Sequence, residues 1–272
     1  MDISTTLSVI IFIIMIILLY FVYGTIKWVI SITIVGLVVY FIYTIIKKIT
    51  SHFSNTYKFN NNYKIKKIND FIYEIDDFID SDKCKELINK YDKNLEKSFV
   101  ISNEKISNDR TSNQKWISQN QEYELNNKIL NLVNEFSKSK LTINHLEDFQ
   151  FTKYNPSQEY KGHYDVCDIK KDVENSTECK LDYENIGSYR YITVILYLND
   201  DFQGGETYFN KLNIKIKPKI GKALLFINCI LDSDSFDSGK CDRIENSMHS
   251  GLSVKSGNKY ILTKWVRLKE IT

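Results

Sequence analysis

Residues 191–198 read YITVILYL, a run that is almost wholly apolar or β-branched and carries no charge. Such side chains fit the pleated surface of a sheet, so the run predicts a buried strand. Comparable short runs lie at residues 149–154, 223–227 and 260–266, and polar loops separate them. Short strands at such intervals are typical of a barrel or a jelly roll. The second half of the chain should therefore form a mainly β core.

Two helices and a first strand are predicted upstream of this core. Residues 71–75 have the composition of a strand, and Ser81 is a suitable N-cap for the first helix. The apolar residues of both helices recur at helical spacing. They are Cys84, Leu87, Ile88 and Tyr91 in the first helix, and Leu125, Ile129, Leu132, Val133 and Phe136 in the second. The helices are expected to support the β core, with Cys84 as a buried core residue.

The N-terminal segment, residues 1–48, is predicted to be a membrane anchor. Residues 7–23 and 28–46 are two uncharged apolar runs, and roughly 20 apolar helical residues cross a bilayer. A single continuous helix would be about twice too long for one crossing, which favours a helical hairpin over one transmembrane helix. A cleaved signal peptide followed by one anchor is the alternative, but the N-terminus lacks its basic region. Residues 49–67 then form a tether, and residues 68–272 form the remaining domain.

The sidedness of the membrane is left open by opposing signals. Lys47 and Lys48 follow the second run and favour a cytoplasmic domain. The sequon at residues 175–177 and the cysteines favour a lumenal domain instead, in the endoplasmic reticulum or in a host or virion membrane. The four cysteines in polar loops allow three pairings, and the sequence does not choose among them. They are Cys167, Cys179, Cys229 and Cys241.

The overall charge argues against one class of partner. The formal net charge is +2, and no basic stripe is present in the sequence. A nucleic-acid partner is therefore not expected. Membrane lipid is expected as the partner of the N-terminal anchor.

His163, Asp165 and His249 are the candidate metal ligands. His163 and Asp165 are two residues apart, a spacing that places both side chains on one face of a strand. His249 precedes another strand pattern and could supply a third ligand. Two histidines and one carboxylate form the facial triad of non-haem iron(II) oxygenases, which leaves three metal positions open. Local surface polarity is the ordinary explanation of such a pair, and a zinc hydrolase is a further alternative without a placed general base.

Lys259 strengthens the oxygenase hypothesis. It enters the last strand pattern, where Lys259, Ile261, Thr263 and Trp265 share one face. A cation and a hydroxyl that point into a barrel can bind the distal carboxylate of 2-oxoglutarate, and a buried lysine is costly without such a partner. The alternative is an edge-strand lysine that reaches solvent.

Several motifs occur in one order over roughly residues 68–270. Residues 154–165 read YNPSQEYKGHYD, and residues 190–198 read RYITVILYL. The others are DFI at 77–79, RTS at 110–112, GGET at 204–207, GKALLF at 221–226, HSG at 249–251 and GNKY at 257–260. With these gaps, the chain resembles the prolyl 4-hydroxylase branch of the 2-oxoglutarate oxygenases. The resemblance implies a double-stranded β-helix, or jelly-roll, core.

The resemblance also implies cofactors and roles for particular residues. The cofactors would be Fe(II), 2-oxoglutarate, O2 and ascorbate, and the substrate a proline-containing peptide or protein. The iron ligands would be His163, Asp165 and His249, with no catalytic residue beyond the metal centre. Lys259 would bind the 2-oxoglutarate carboxylate, helped by Tyr154 and by Thr193 or Thr263. The peptide groove would be lined by Tyr160, Arg190 and Trp265, although core packing or a structural salt bridge would explain these residues equally well.

Departures from the family pattern leave the substrate undefined. Ser157 stands where the family usually has Gly, and Ser253 where Pro is common. The polar segments 166–189 and 229–248 are long for the family and are expected to form a lid or the rim of the site. The open alternatives are a lysyl or other protein hydroxylase of the same superfamily, or a catalytically silent membrane or virion-surface binding protein.

Overall fold

The computed structural model describes residues 56–58, 63–98, 100–102, 105–137, 140–166 and 186–271, together with residues 37–44 and single positions between 15 and 28. The chain divides into two units, Met1–Asn55 and Thr56–Thr272. In the first unit, the described positions are helical. No helix among the described positions is both long enough and apolar enough to cross a bilayer. The predicted spans at 7–23 and 28–46 fall largely outside the described residues.

The second unit is mainly β. Its strands are β1 (Thr56–Lys58), β2 (Lys64–Lys67), β3 (Ile72–Ile75), β4 (Glu96–Lys97), β5 (Val100–Ser102), β6 (Lys105–Ser107), β7 (Asn113–Ile117), β8 (Phe149–Tyr154), β9 (Tyr160–His163), β10 (Arg190–Tyr197), β11 (Gln203–Gly204), β12 (Thr207–Phe209), β13 (Ile214–Ile216), β14 (Ala223–Ile227), β15 (Cys229–Ile230), β16 (Asp242–Arg243), β17 (His249–Gly251), β18 (Val254–Ser256) and β19 (Lys259–Arg267). The α-helices are α1 (Ser81–Tyr91), α2 (Tyr123–Asn134) and α3 (Ser235–Ser238), and short 3-10 turns lie at Gln119–Glu122, Ile143–His145 and Glu245–Ser247.

Two antiparallel sheets form the body of this unit. The major sheet has the order β1-β2-β3-β14-β10-β19-β8-β7-β4, and the minor sheet has the order β13-β12-β17-β9. Ile195 and Ile261 of the major sheet pack in one buried cluster with Phe209 and Ile216 of the minor sheet. The two sheets therefore face each other across this cluster, as the jelly-roll prediction requires.

The opposite face of the major sheet is covered by the helices. Val194 and Leu196 of β10 lie in a second buried cluster with Leu87 of α1 and Ile129 of α2. Successive residues of β10 thus contribute alternately to the two clusters, because side chains alternate across a strand. Burial on both faces explains why the run at 191–198 is apolar throughout rather than alternating.

The predicted strands and helices are confirmed with small shifts at their ends. The run at 191–198 corresponds to β10 at 190–197, and the run at 260–266 to β19 at 259–267. Cys84 is fully buried on α1, as expected. The predicted N-cap is wrong by one residue: Asp80 is the cap, and its Oδ1 accepts from the backbone N–H of Lys83 at 2.7 Å. An aspartate caps as well as a serine, so composition alone did not separate the two.

The predicted tether contains strands. Residues 56–58 and 64–67 form β1 and β2, which extend the major sheet beyond β3. Three lysines in β2 gave it the composition of a solvated segment, but Ile65 between them is buried. Lys66 also forms a salt bridge to Glu74 of β3 at 3.0 Å. One buried isoleucine and cross-strand pairing therefore override the polar composition.

Candidate active site

Strands β9 and β17 bring the two candidate histidine ligands together. They pair antiparallel in a register that sets His163 directly opposite His249. Asp165 lies in a bend just after β9, not on the strand as predicted, yet its carboxylate lies beside both imidazoles. The His163 Nε2–Asp165 Oδ1 distance is 3.6 Å, and the His249 Nε2–Asp165 Oδ2 distance is 3.8 Å. One donor atom from each residue lies within 4.8 Å of the others, close enough to share one metal ion.

Backbone carbonyls orient both imidazole rings. His163 Nδ1 lies 2.9 Å from the carbonyl oxygen of Lys161, and His249 Nδ1 lies 3.0 Å from that of Ser247. A carbonyl oxygen only accepts, so each Nδ1 must carry the proton. The Nε2 lone pairs are consequently left to face Asp165, the arrangement that is typical of metal-binding histidines.

The surroundings favour the protonation states that metal binding requires. Burial, together with the nearby His249, lowers the pKa of His163 to about 3. Burial alone would raise the pKa of Asp165, but the imidazoles of His249 and His163 outweigh it and lower that pKa to about 2. Near neutral pH, His163 is therefore a neutral imidazole and Asp165 an ionised carboxylate, both competent as ligands.

Lys259 lies in the same pocket as the three candidate ligands. It is 2% exposed, and burial lowers its pKa to about 7 even though Glu206 acts in the opposite direction. Its Nζ lies 5.0 Å from the ring centroid of Tyr154. Gly205, at φ +67°, leaves room for the lysine, because a Cβ there would lie 3.1 Å from the lysine side chain. A buried ammonium of this kind is suited to an anionic ligand that enters the pocket.

The face predicted for the last strand is confirmed. Lys259, Ile261, Thr263 and Trp265 all line the pocket, as does Tyr154 on β8. Thr193 also lines it, but its contact differs from the predicted one. Its hydroxyl donates to Asp165 Oδ2 at 2.7 Å, so its proton serves the candidate metal ligand and not a distal carboxylate.

The three predicted groove residues lie close to the metal ligands or to the pocket wall. The Tyr160 ring stacks on the His163 ring, with centroids 3.6 Å apart. The Arg190 guanidinium lies 4.1 Å from the ring centroid of Trp265 and forms a salt bridge to Glu147 at 2.6 Å. The salt bridge expected as an alternative for Arg190 is thus present, and it holds the arginine against a residue of the pocket.

Three further polar residues line the pocket wall, and the sequence had indicated no role for them: Arg110, Gln150 and Thr207. Arg110 is largely buried, donates to Gln150 Oε1 at 2.6 Å and lies 4.8 Å from the ring centroid of Tyr160. Arg110 and Thr207 fall in the quoted RTS and GGET motifs, but neither received a role. Gln150 shares a strand face with Thr152 and Tyr154 on β8, and this polar alternation was the available signal.

Two imidazole nitrogens and one carboxylate oxygen, converging at the end of a pocket, fit a non-haem iron(II) centre. A tetrahedral zinc hydrolase would leave the buried Lys259 without a purpose. The donor set and the cation together match a metal that binds a dicarboxylic co-substrate.

Comparisons with known proteins give the same result. The sequence profile of the 2OG-Fe(II) oxygenase superfamily matches residues 149–267. A putative prolyl 4-hydroxylase of Acanthamoeba polyphaga mimivirus is 32% identical over 237 residues, which cover 83% of this chain and 90% of that protein. Probable prolyl 4-hydroxylase 10 of Arabidopsis thaliana is 29% identical, with coverage of 71% of this chain and 67% of that protein.

A solved structure is also similar. The viral collagen prolyl hydroxylase of Paramecium bursaria Chlorella virus-1, in its 2-oxoglutarate complex, is 30% identical to this chain with a TM-score of 0.52. The match covers 73% of this chain and 97% of that one.

The family match and the pocket together decide between the enzyme and the silent binding protein that the sequence left open. The chain is a 2-oxoglutarate-dependent dioxygenase whose cofactors are iron(II), 2-oxoglutarate and dioxygen. It belongs to the prolyl 4-hydroxylase family of the 2OG-Fe(II) oxygenases.

Proposed function

We propose that this chain hydroxylates peptidyl proline while it decarboxylates 2-oxoglutarate to succinate. The proposal rests on a single pocket with His163, Asp165 and His249 among its lining residues and the buried Lys259 in its wall. A ligand with a keto-acid group and a distal carboxylate fits both features at once. The names of the mimivirus and chlorella virus relatives support proline as the residue that is hydroxylated.

In this proposal each polar group of the pocket has a defined task. His163, Asp165 and His249 hold the iron, which supplies the activation of dioxygen and the attack on an unactivated carbon. Lys259 pairs with the distal carboxylate of 2-oxoglutarate, with Tyr154 beside it and Thr263 further along the same wall. The surrounding strands exclude water and fix the orientation of the co-substrate.

The peptide would bind along an aromatic and cationic wall. Tyr160 lies against His163, and Trp265 carries the guanidinium of Arg190. Proline-rich segments dock in aromatic-lined grooves in other proteins, because the preformed polyproline II helix loses little conformational entropy on binding. Arg110, which lies over Tyr160, adds a donor for peptide carbonyl groups.

We further propose that the domain is membrane-anchored and lumenal, in the endoplasmic reticulum or in a host or virion membrane. The two apolar runs at 7–23 and 28–46 support the anchor, and large apolar side chains such as Leu37 and Phe41 are exposed on the helical residues 37–44. The disulfide between Cys229 and Cys241 supports an oxidising compartment. Cys167, Cys179 and the sequon at 175–177 lie outside the described residues.

The experiment is a turnover assay with the detergent-solubilised full chain, iron(II), 2-oxoglutarate and ascorbate. Three peptides are offered separately: a proline-rich peptide, a collagen-like peptide, and a lysine-containing peptide that has no proline. Succinate and a mass gain of 16 Da in the peptide are measured. We expect succinate coupled to hydroxylation of a proline-containing peptide. Hydroxylation of the lysine peptide alone would replace the prolyl assignment with the lysyl hydroxylase alternative.

A further inference from the structure

Asn228, Thr193 and Asp165 form a buried series of side-chain hydrogen bonds that ends at the candidate metal site. The Asn228 amide Nδ2 donates to Thr193 Oγ1 at 2.9 Å, and the Thr193 hydroxyl donates to Asp165 Oδ2 at 2.7 Å. Asn228 and Thr193 are each 0% exposed. Neither the sequence motifs nor the proposed function gives a role to Asn228, which follows directly after β14.

The donor and acceptor roles in this chain are fixed by chemistry. An ionised carboxylate only accepts hydrogen bonds, so the single hydroxyl proton of Thr193 must point to Asp165. Thr193 can then only accept from Asn228, which requires the amide nitrogen, and not the amide oxygen, to face it. With its nitrogen facing Thr193, the Asn228 amide donates to Oγ1 and offers the hydroxyl proton no second acceptor, so the proton stays directed at Asp165.

Asn228 holds this orientation at an energetic cost. Its Oδ1 has no hydrogen-bond partner within the part of the chain that the structure describes, and leaving a buried polar atom unpaired is destabilising. Its backbone N–H donates to the carbonyl of Tyr191 at 2.8 Å, and its carbonyl accepts from the N–H of Ile244 at 2.9 Å. An apolar residue of similar size would avoid the unpaired oxygen. Such a residue could not donate to Thr193 Oγ1, however, and would no longer hold the Thr193 hydroxyl in place.

We propose that Asn228 is a positioning residue for the metal-binding carboxylate. It fixes the Thr193 hydroxyl, which holds Asp165 Oδ2 by a hydrogen bond and leaves Asp165 Oδ1 to the metal. This inference rests on the proposed iron site. A carboxylate that offers one oxygen occupies one metal position, so that three of six remain for 2-oxoglutarate and dioxygen. If Asp165 bound the metal through both oxygens, it would occupy one of the three positions that 2-oxoglutarate and dioxygen need.

Cobalt(II) titration of the full chain in detergent tests the proposal without turnover, because the visible d–d bands of cobalt(II) respond to its coordination number. Asn228→Asp keeps the shape but replaces the donor by an acceptor, which draws the Thr193 proton away from Asp165. Thr193→Val removes the hydroxyl, and Thr193→Ser keeps it. We expect Asn228→Asp and Thr193→Val each to weaken cobalt binding by about 10- to 100-fold and to alter the d–d bands. Thr193→Ser should restore most of the affinity.

A double-variant cycle separates positioning from a general loss of stability. Because Asn228 acts through Thr193, the double variant Asn228→Asp/Thr193→Val should bind cobalt no more weakly than Thr193→Val alone. Asn126→Asp is the matched control. Asn126 is also 0% exposed and donates its Nδ2 to the carbonyl of Gln119 at 2.6 Å, and its Oδ1 likewise has no partner among the described residues. This control should leave cobalt affinity unchanged.

Each other outcome has a definite meaning. If wild-type protein and Asn228→Asp bind cobalt equally and with the same d–d bands, or if the two losses add, Asn228 has no positioning role while the iron site stands. If Asn228→Asp does not fold, the contrast between Thr193→Val and Thr193→Ser decides, and equal affinities of these two overturn the proposal. If wild-type protein binds no cobalt, or binds it as well after His163→Ala, the proposed iron site falls and this inference falls with it.

Discussion

At the scale of single residues, Lys259 links the fold to the proposed chemistry. A lysine at 2% exposure is unfavourable in an empty pocket, and burial lowers its pKa to about 7. Natural proteins retain such groups where a ligand compensates the lost hydration. We propose that the distal carboxylate of 2-oxoglutarate is the ligand that compensates Lys259.

Replacing Lys259 by Ala should weaken 2-oxoglutarate binding selectively. A charge-assisted hydrogen bond contributes about 1.5–3 kcal/mol, which corresponds to a roughly 10- to 150-fold higher KM for 2-oxoglutarate. Succinate formation at varied 2-oxoglutarate concentration measures it. Lys255→Ala, a change of an exposed lysine, is the control and should leave KM unaltered. An unchanged KM in Lys259→Ala would contradict the assignment of the carboxylate site.

The affinity for 2-oxoglutarate should also depend on pH through Lys259. The pKa of the ligand-free lysine is about 7 because of burial, so the ammonium is present below this pH and is lost above it. Binding of the dianion should therefore weaken as the pH rises from about 6 to about 9. Anaerobic calorimetry with manganese(II) in place of iron measures the dissociation constant. In Lys259→Arg the guanidinium stays charged, so the pH dependence in this range should disappear; a persisting dependence would point to another group.

At the scale of elements, register decides the site and was only partly predictable. The shared face of β19 follows from strand periodicity and is found. His163 and Asp165 also converge as predicted, but Asp165 does so from a bend after β9 and not from the strand. The pairing of β9 with β17, which sets His163 opposite His249, joins residues 86 positions apart and leaves no local trace in the sequence. The contact of Thr193 with Asn228 depends on another long-range pairing, that of β10 with β14. Its contact with Asp165 also joins distant residues, so sequence patterns gave Thr193 a different role.

A disulfide closes the hairpin of β15 and β16. The sequence allowed three pairings, and the structure shows Cys229 bonded to Cys241. The double variant Cys229→Ser/Cys241→Ser should lower the free energy of unfolding by about 2–4 kcal/mol, because the open chain gains conformational freedom when unfolded. Urea denaturation of the full chain in detergent measures this change. A reducing agent should produce a similar shift in the wild type, and equal stability of the two proteins would contradict the prediction.

For the whole molecule, sequence patterns predicted the β core correctly but did not predict that the tether contains strands. The jelly-roll core was predictable, because buried strands require long apolar or alternating runs that composition reveals. The tether was partly misassigned, because the structure uses the lysine-rich β2 to extend the major sheet. A single buried side chain, Ile65, is too weak a signal within a polar segment.

Membrane attachment is a prediction for the whole chain. Full-length protein should remain in the membrane pellet after an alkaline carbonate wash and enter the supernatant only with detergent, because two runs of nearly spanning length bury their apolar side chains in lipid. A chain shortened to begin at Thr56, the start of the second unit, is the matched comparison and should not pellet with lipid. Release of the full chain by carbonate alone would exclude an integral anchor.

The proposed function requires that one pocket couples 2-oxoglutarate decarboxylation to hydroxylation of proline. Turnover of a proline-containing peptide under ¹⁸O₂, with mass spectrometry of both products, tests this coupling. We expect one labelled oxygen in succinate and one in the hydroxylated proline, and no product from His163→Ala, although its circular dichroism should match the wild type. Label in succinate with none in the peptide, or undiminished labelling in His163→Ala, would show that the pocket does not perform this reaction.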